Sequence, residues 1–133
     1  MEITIVNPQS LVKPRGYNHG IKTSGGSSLL FLGGQVAWDR EGNLIGEGDI
    51  VRQFDKALEN IIAVVKEAGG KPENIVKLNL FVTDKRAYLA RSQELGVAYR
   101  KYMGKHFPAM TLVEVKSLYE EGTLIEIEGL AVL

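Results

Sequence analysis

The sequence predicts an α/β (α+β) fold: one mixed sheet with two helices on one of its faces, formed by residues 1–133 as a single domain. Three observations predict it. Segments of period two alternate with segments of period 3.6 along the chain. Each helix-like stripe opens at an aspartate and closes at a glycine. The stretches "SGGSS" and "EGNLIGEG" fall between periodic segments, where glycine, serine and asparagine suit turns.

The elements follow in order. "ITIVN" supplies a first strand and Gly20 to Thr23 a short second one. "SLLFLGGQVAW" is nearly continuously apolar, as in strands covered on both faces. Asp49 then caps a helix whose apolar stripe is Val51, Phe54, Leu58, Ile61, Val65 and Ala68. Gly69-Gly70 stops it, and Pro72 follows. In "NIVKLNLFVTD", Val76, Leu78, Leu80 and Val82 share one face. Asp84 caps a second helix, lined on one side by Leu89, Ser92, Leu95, Tyr99 and Tyr102 and ended by Gly104. "AMTLVEV" and "TLIEIEGLAVL", joined by a turn around Glu120 to Gly122, complete a six-stranded mixed sheet. Two helices cover only one side of such a sheet, yet Leu29 to Leu32 offer apolar side chains to both. The uncovered face therefore calls for a second copy of the chain, and a homo-oligomer is expected.

Composition excludes several function classes. Sixteen Lys and Arg balance sixteen Asp and Glu, without the basic excess usual for a nucleic-acid binder, so no nucleic acid is expected as a partner. The absence of cysteine removes thiol nucleophiles, disulfides and thiolate metal sites. His19 and His106 are too few and too far apart to suggest a metal centre. The N-terminal residues lack a basic segment followed by a long apolar core, and no apolar run is long enough to span a bilayer. The expected setting is the cytoplasm, with no membrane partner.

The C-terminal block "HFPAMTLVEVKSLYEEGTLIEIEGLAV" resembles the signature of the RidA (YjgF-type) reactive-intermediate deaminase family. That signature runs Pro-Ala-Arg-Ser/Thr, a Val-Glu-Val strand, a short turn and an Ile-Glu-Ile/Ala strand. Pro108, Ala109, Met110, Thr111, Val113-Glu114-Val115 and Ile125-Glu126-Ile127-Glu128 take these places, with one extra residue in the turn. "RGYNHGI", "LFLGGQVAWDREGNLIG", "DIVRQFDKALENIIAVVKEAG" and "IVKLNLFVTD" resemble other family segments, so the likeness covers nearly the whole chain. It implies a chorismate-mutase-like fold and a homotrimer with ligand clefts between subunits. It also implies hydrolysis of enamines and imines such as 2-aminoacrylate to 2-oxo acids and ammonia, with no cofactor and no metal.

The family's site residues carry over unevenly. Its pocket tyrosine falls on Tyr17 and its water-positioning glutamate on Glu126, the two catalytic candidates. Its serine on the strand before the first helix becomes Gly33, its carboxylate-binding arginine becomes Met110, and a position often held by cysteine becomes Leu112. Met110 and Leu112 are two apart in a strand and face the same way, so that pocket wall turns apolar. Thr111 between them is a β-former carried as a substrate-binding candidate. An arginine fork suits a carboxylate, and losing its two charged hydrogen bonds costs on the order of 10²- to 10⁴-fold in binding. Arg15 and His19, which flank Tyr17, are the candidates to replace that cation, whereas Lys116 reads as an exposed strand lysine. The expected ligand is a small-molecule metabolite, an imine or enamine different from or less anionic than 2-iminopropanoate. A non-catalytic binding or protein-interaction module on the same trimeric fold is the alternative. RNA cleavage, known in some relatives, is the weakest reading for a chain of balanced charge.

Overall fold

The computed structural model describes residues 1–11 and 13–133. Among them the order is β1 (Glu2–Val6), β2 (Gly20–Ser24), β3 (Leu29–Gln35), α1 (Ile50–Glu67), β4 (Ile75–Val82), α2 (Lys85–Ala90), α3 (Ser92–Met103), β5 (Ala109–Glu114) and β6 (Ile125–Val132). The period-two pattern makes β4 a central strand. It pairs antiparallel with β6 and parallel with β5, and β6 pairs antiparallel with β3 on its other side. The parallel β4–β5 step needs a long crossover, which α2 and α3 provide.

The expected six strands form, but they do not make one sheet. Four of them are ordered β3-β6-β4-β5, while β1 and β2 pair only with each other. Hydrogen bonds at the two ends of β2 explain the separation. The backbone of Asn18 donates to Pro108 O at 3.1 Å, and its side chain donates to Phe107 O. After the β1–β2 pair, the N–H groups of Ser27 and Ser28 turn to Leu133 O, at 3.0 and 3.2 Å. The pair is thus tied at one end to the start of β5 and at the other to the end of β6, across the end of the sheet. The last two strands are not neighbours either, because β4 lies between them. Their connection is fastened by Gln53, which is fully buried on α1. Its amide donates to Gly46 O and Gly122 O and accepts from the Leu124 N–H. Trp38 Nε1 adds a bond to the Glu120 carboxylate.

The second expected helix is broken into α2 and α3 at Arg91, whose φ of −119° and ψ of 32° leave the helical region. Two interactions favour the break. Ser92 Oγ donates to Leu89 O at 2.7 Å, a local alternative to helical bonding. The Arg91 guanidinium is drawn to Glu94 at 2.6 Å and to Asp49 at 3.0 Å.

Asp49 also caps α1, accepting from the N–H groups of Val51 and Arg52 at 3.0 and 3.2 Å. The Arg52 N–H, with Arg91 nearby, holds its carboxyl below the usual aspartate range. A folded-state value below the unfolded one contributes stability above the unfolded pKa, and that contribution is lost as pH falls through the folded value. Asp49→Ala therefore lowers stability at neutral pH by about 1 kcal/mol, the usual worth of such a cap. The difference from the native chain shrinks below about pH 4. Urea unfolding at pH 7 and pH 3 measures both; an unchanged gap at pH 3 contradicts the assignment.

One face of the four-stranded sheet carries Leu32, Leu78, Leu80 and Ile127, packed against Phe54, Leu58, Ile61 and Val65 of α1. The other face is uncovered. Leu29 is 61% and Phe31 75% exposed there, and Val113 is exposed as well. Among the described residues no helix is long and apolar enough to cross a membrane.

Candidate functional site

Parity along the strands decides which side chains meet. Met110 pairs with Leu78 and Leu112 with Leu80, and both follow their partners onto the helix-covered face. Both are half-buried against the core, as the period-two reading requires. Met110 faces a cavity of about 520 Å³. Leu78, Leu80 and Ile127 form the sheet side of that cavity, Phe54 and Leu58 come from α1, and Tyr88 comes from α2. Ser92, Leu95, Gly96, Tyr99 and Arg100 of α3 close it, with Arg15, Gly16 and Phe107 from the flanking loops.

The wall at Met110 is apolar, and the polar groups lie elsewhere on the lining. Tyr99 donates its hydroxyl to His106 O at 2.6 Å, and its ring stacks on Phe107 with centroids 5.2 Å apart. Burial raises the hydroxyl pKa of both Tyr99 and Tyr88. Both therefore stay neutral phenols near pH 7. Among the described residues, Arg15 and Arg100 bring the only formal charges to the lining. Gly96 has a steric role beside Arg100. A β-carbon there would stand 3.1 Å from Arg100 Nη1, so the guanidinium would have to shift by a few tenths of an ångström. An interior helical glycine costs roughly 0.5–1 kcal/mol relative to alanine, and here it makes room for the guanidinium.

The other residues singled out in the sequence are dispersed. Tyr17 lines a second cavity, of about 620 Å³, that shares Gly16 and Phe107 with the first. Its ring meets His19 edge-on at 5.4 Å, and the His19 backbone donates to Asn7 Oδ1 at 2.8 Å. Thr111 points to the opposite sheet face from Met110 and is bonded by Lys77 Nζ at 2.9 Å. Gly33 lies where the β3–β6 register slips, with open space where a side chain would go. Glu126 pairs with Phe81, between Ile125 and Ile127, and so points to the open face. Its carboxylate rests over Gly34, where any side chain would displace it. Within one protomer the sheet thus stands between Glu126 and Met110.

Arg15 and Met110 therefore come together, and Glu126, Thr111 and Gly33 do not join them. Sequence reasoning missed Tyr88, Gly96, Arg100 and Phe107. A glycine inside a helix, four residues before an arginine, was the available signal for two of these.

The profile of a family described as endoribonuclease L-PSP matches residues 8–133. A RutC family protein of Pyrococcus abyssi is 33% identical over 128 residues, covering 96% of this chain and 94% of that protein. A Salmonella typhimurium protein named 2-iminobutanoate/2-iminopropanoate deaminase is 33% identical over 108 residues, covering 79% of this chain and 80% of that protein. Among solved structures, the Rid-family protein YyfB of Yersinia pestis, itself of unknown function, superposes with a TM-score of 0.88 at 29% identity over the whole of both chains. The YjgF gene product of E. coli superposes with a TM-score of 0.68 at 28% identity, covering 95% of this chain and 93% of that one.

Proposed function

The chain belongs to the YjgF/RidA family, and on that premise we propose that it hydrolyses an imine or enamine different from, or less anionic than, 2-iminopropanoate. The observation that carries this reading is Met110 on the wall of the cavity. A thioether offers dispersion and a weak acceptor, so it does not hold a carboxylate there. The volume and the aromatic lining suit a substrate with a larger apolar body. In the reaction, water adds to the imine carbon and a proton passes to nitrogen. The resulting carbinolamine expels ammonia and leaves a carbonyl. Glu126 is the group that would take the water proton. Because Glu126 and Met110 of one protomer face apart, the reading requires Glu126 from a neighbouring copy, in a homotrimer that brings the open face of one protomer to the β5 edge of the next, beside its cavity.

The same separation favours the second reading, a binding module without catalysis. One protomer holds a ligand cavity without a carboxylate on its lining.

Imines made in situ separate the two. With 2-aminoacrylate, generated from serine by a pyridoxal-phosphate-dependent dehydratase, the protein accelerates pyruvate release little or not at all. With the imines of leucine or phenylalanine, generated by an amino-acid oxidase, it accelerates 2-oxo acid formation. Fast pyruvate release would refute the role given to Met110. No acceleration with any imine would leave the binding module.

A further inference from the structure

We propose that Arg15 and Arg100 form an anion-binding mouth to the Met110 cavity, which takes a carboxylate carrying an aromatic or branched apolar body. This rests on the cavity being the ligand site, and it adds where the charge of the ligand sits. The end of the ligand that meets Met110 is apolar, and its anionic group lies at the rim.

Four observations carry the assignment. The cavity is bounded by apolar side chains on the sheet side and by two guanidiniums elsewhere, with no acidic residue among the described residues that line it. Among the described residues, neither Arg15 nor Arg100 takes part in an ion pair, whereas Arg91 and Lys101 are each paired with an aspartate. Gly96 lies one helical turn before Arg100, and the guanidinium rests against it, 3.1 Å from where a β-carbon would stand. Arg15 and Arg100 come from a loop and from α3, so two independent elements bring cations to one cavity. Unpaired like charges on the lining of a low-dielectric cavity raise the local concentration of anions. A guanidinium fork also matches a carboxylate in geometry.

The assignment differs from a simple loss of the arginine expected at position 110. A cation on β5 would grip a carboxylate against the sheet, beside the reacting carbon of a small imino acid. Cations at the rim instead admit a ligand whose apolar part passes beyond them to Met110, Leu78 and Ile127.

Two probes with the same body test it: 3-phenylpropanoate and the neutral 3-phenylpropan-1-ol, titrated calorimetrically into the intact protein. The acid binds about tenfold or more tightly than the alcohol, the worth of one charged hydrogen bond. Arg100→Gln and Arg15→Gln each weaken the acid, and the double variant brings it level with the alcohol. Alcohol binding stays unchanged throughout, which shows that the variants keep the cavity. Equal binding of the two probes by the native chain overturns the mouth assignment and leaves the cavity reading standing. So does full acid affinity in the double variant. Binding of neither probe overturns the cavity reading and this inference with it.

Discussion

Met110→Arg is expected to raise the protein's activity on the small anionic imine above that of the native chain. Pyruvate release from 2-aminoacrylate rises on the order of 10²-fold, the lower end of what a two-bond carboxylate clamp is worth. The position is suited to the change. Met110 is half-buried, its side chain lines the cavity, and its backbone is fixed by parallel pairing to β4. The substituted guanidinium is desolvated and adds a third cation beside Arg15 and Arg100, so the variant is less stable than the native chain without ligand. A carboxylate that binds only the folded state restores stability, and pyruvate raises the melting temperature of the variant more than that of the native chain. Met110→Leu, of similar volume and no charge, is the control and changes neither reading. A folded Met110→Arg protein that binds pyruvate without faster turnover would show that the arginine alone does not limit the reaction. Attention would then move to Gly33 and Leu112.

Phe31→Asp is expected to convert the proposed trimer to single chains. Light scattering coupled to size exclusion gives three times the 14.6 kDa chain mass for the native protein and one chain mass for the variant. The physical reason is the open sheet face. Phe31 is 75% exposed in the protomer and stands opposite Leu130 in the β3–β6 ladder, near Leu29. Covering a phenylalanine is worth roughly 1.5–3 kcal/mol, and a carboxylate there is left unpaired at the interface as well. Association falls by about 10²-fold or more at each contact. On the proposed reading the variant also loses imine hydrolysis, because no neighbour's Glu126 then reaches the cavity. A native chain that runs at one chain mass would sink the trimer and the shared site together. A monomeric Phe31→Asp protein with full activity would sink only the shared site.

Relations within one segment were legible in the sequence. The α1 stripe from Val51 to Val65 and the common face of Met110 and Leu112 follow from periods of 3.6 and two, though Ala68, expected in the stripe, lies past the helix end. The Asp49 cap follows from residue type, and the need to cover the strand from the apolar run Leu29 to Leu32. The family frame around Pro108-Ala109 and Val113-Glu114-Val115 was legible through its resemblance to a known signature. The break at Arg91 was less legible, since its partner Asp49 lies 42 residues away. The separation of β1 and β2 from the main sheet depends on Asn18 reaching Phe107 and Pro108, which no local pattern announces.

The site divides along the same line. By itself the sequence determined that residue 110 cannot clamp a carboxylate and that its strand turns an apolar edge inward, because side-chain chemistry and strand parity are local. Only the tertiary structure decided that Glu126 looks the other way, since the relative parity of two strands is set by their register with β4. Only it placed Arg100, beside Gly96, on the lining of one cavity with Arg15, because that cavity is bounded by segments distant in the chain.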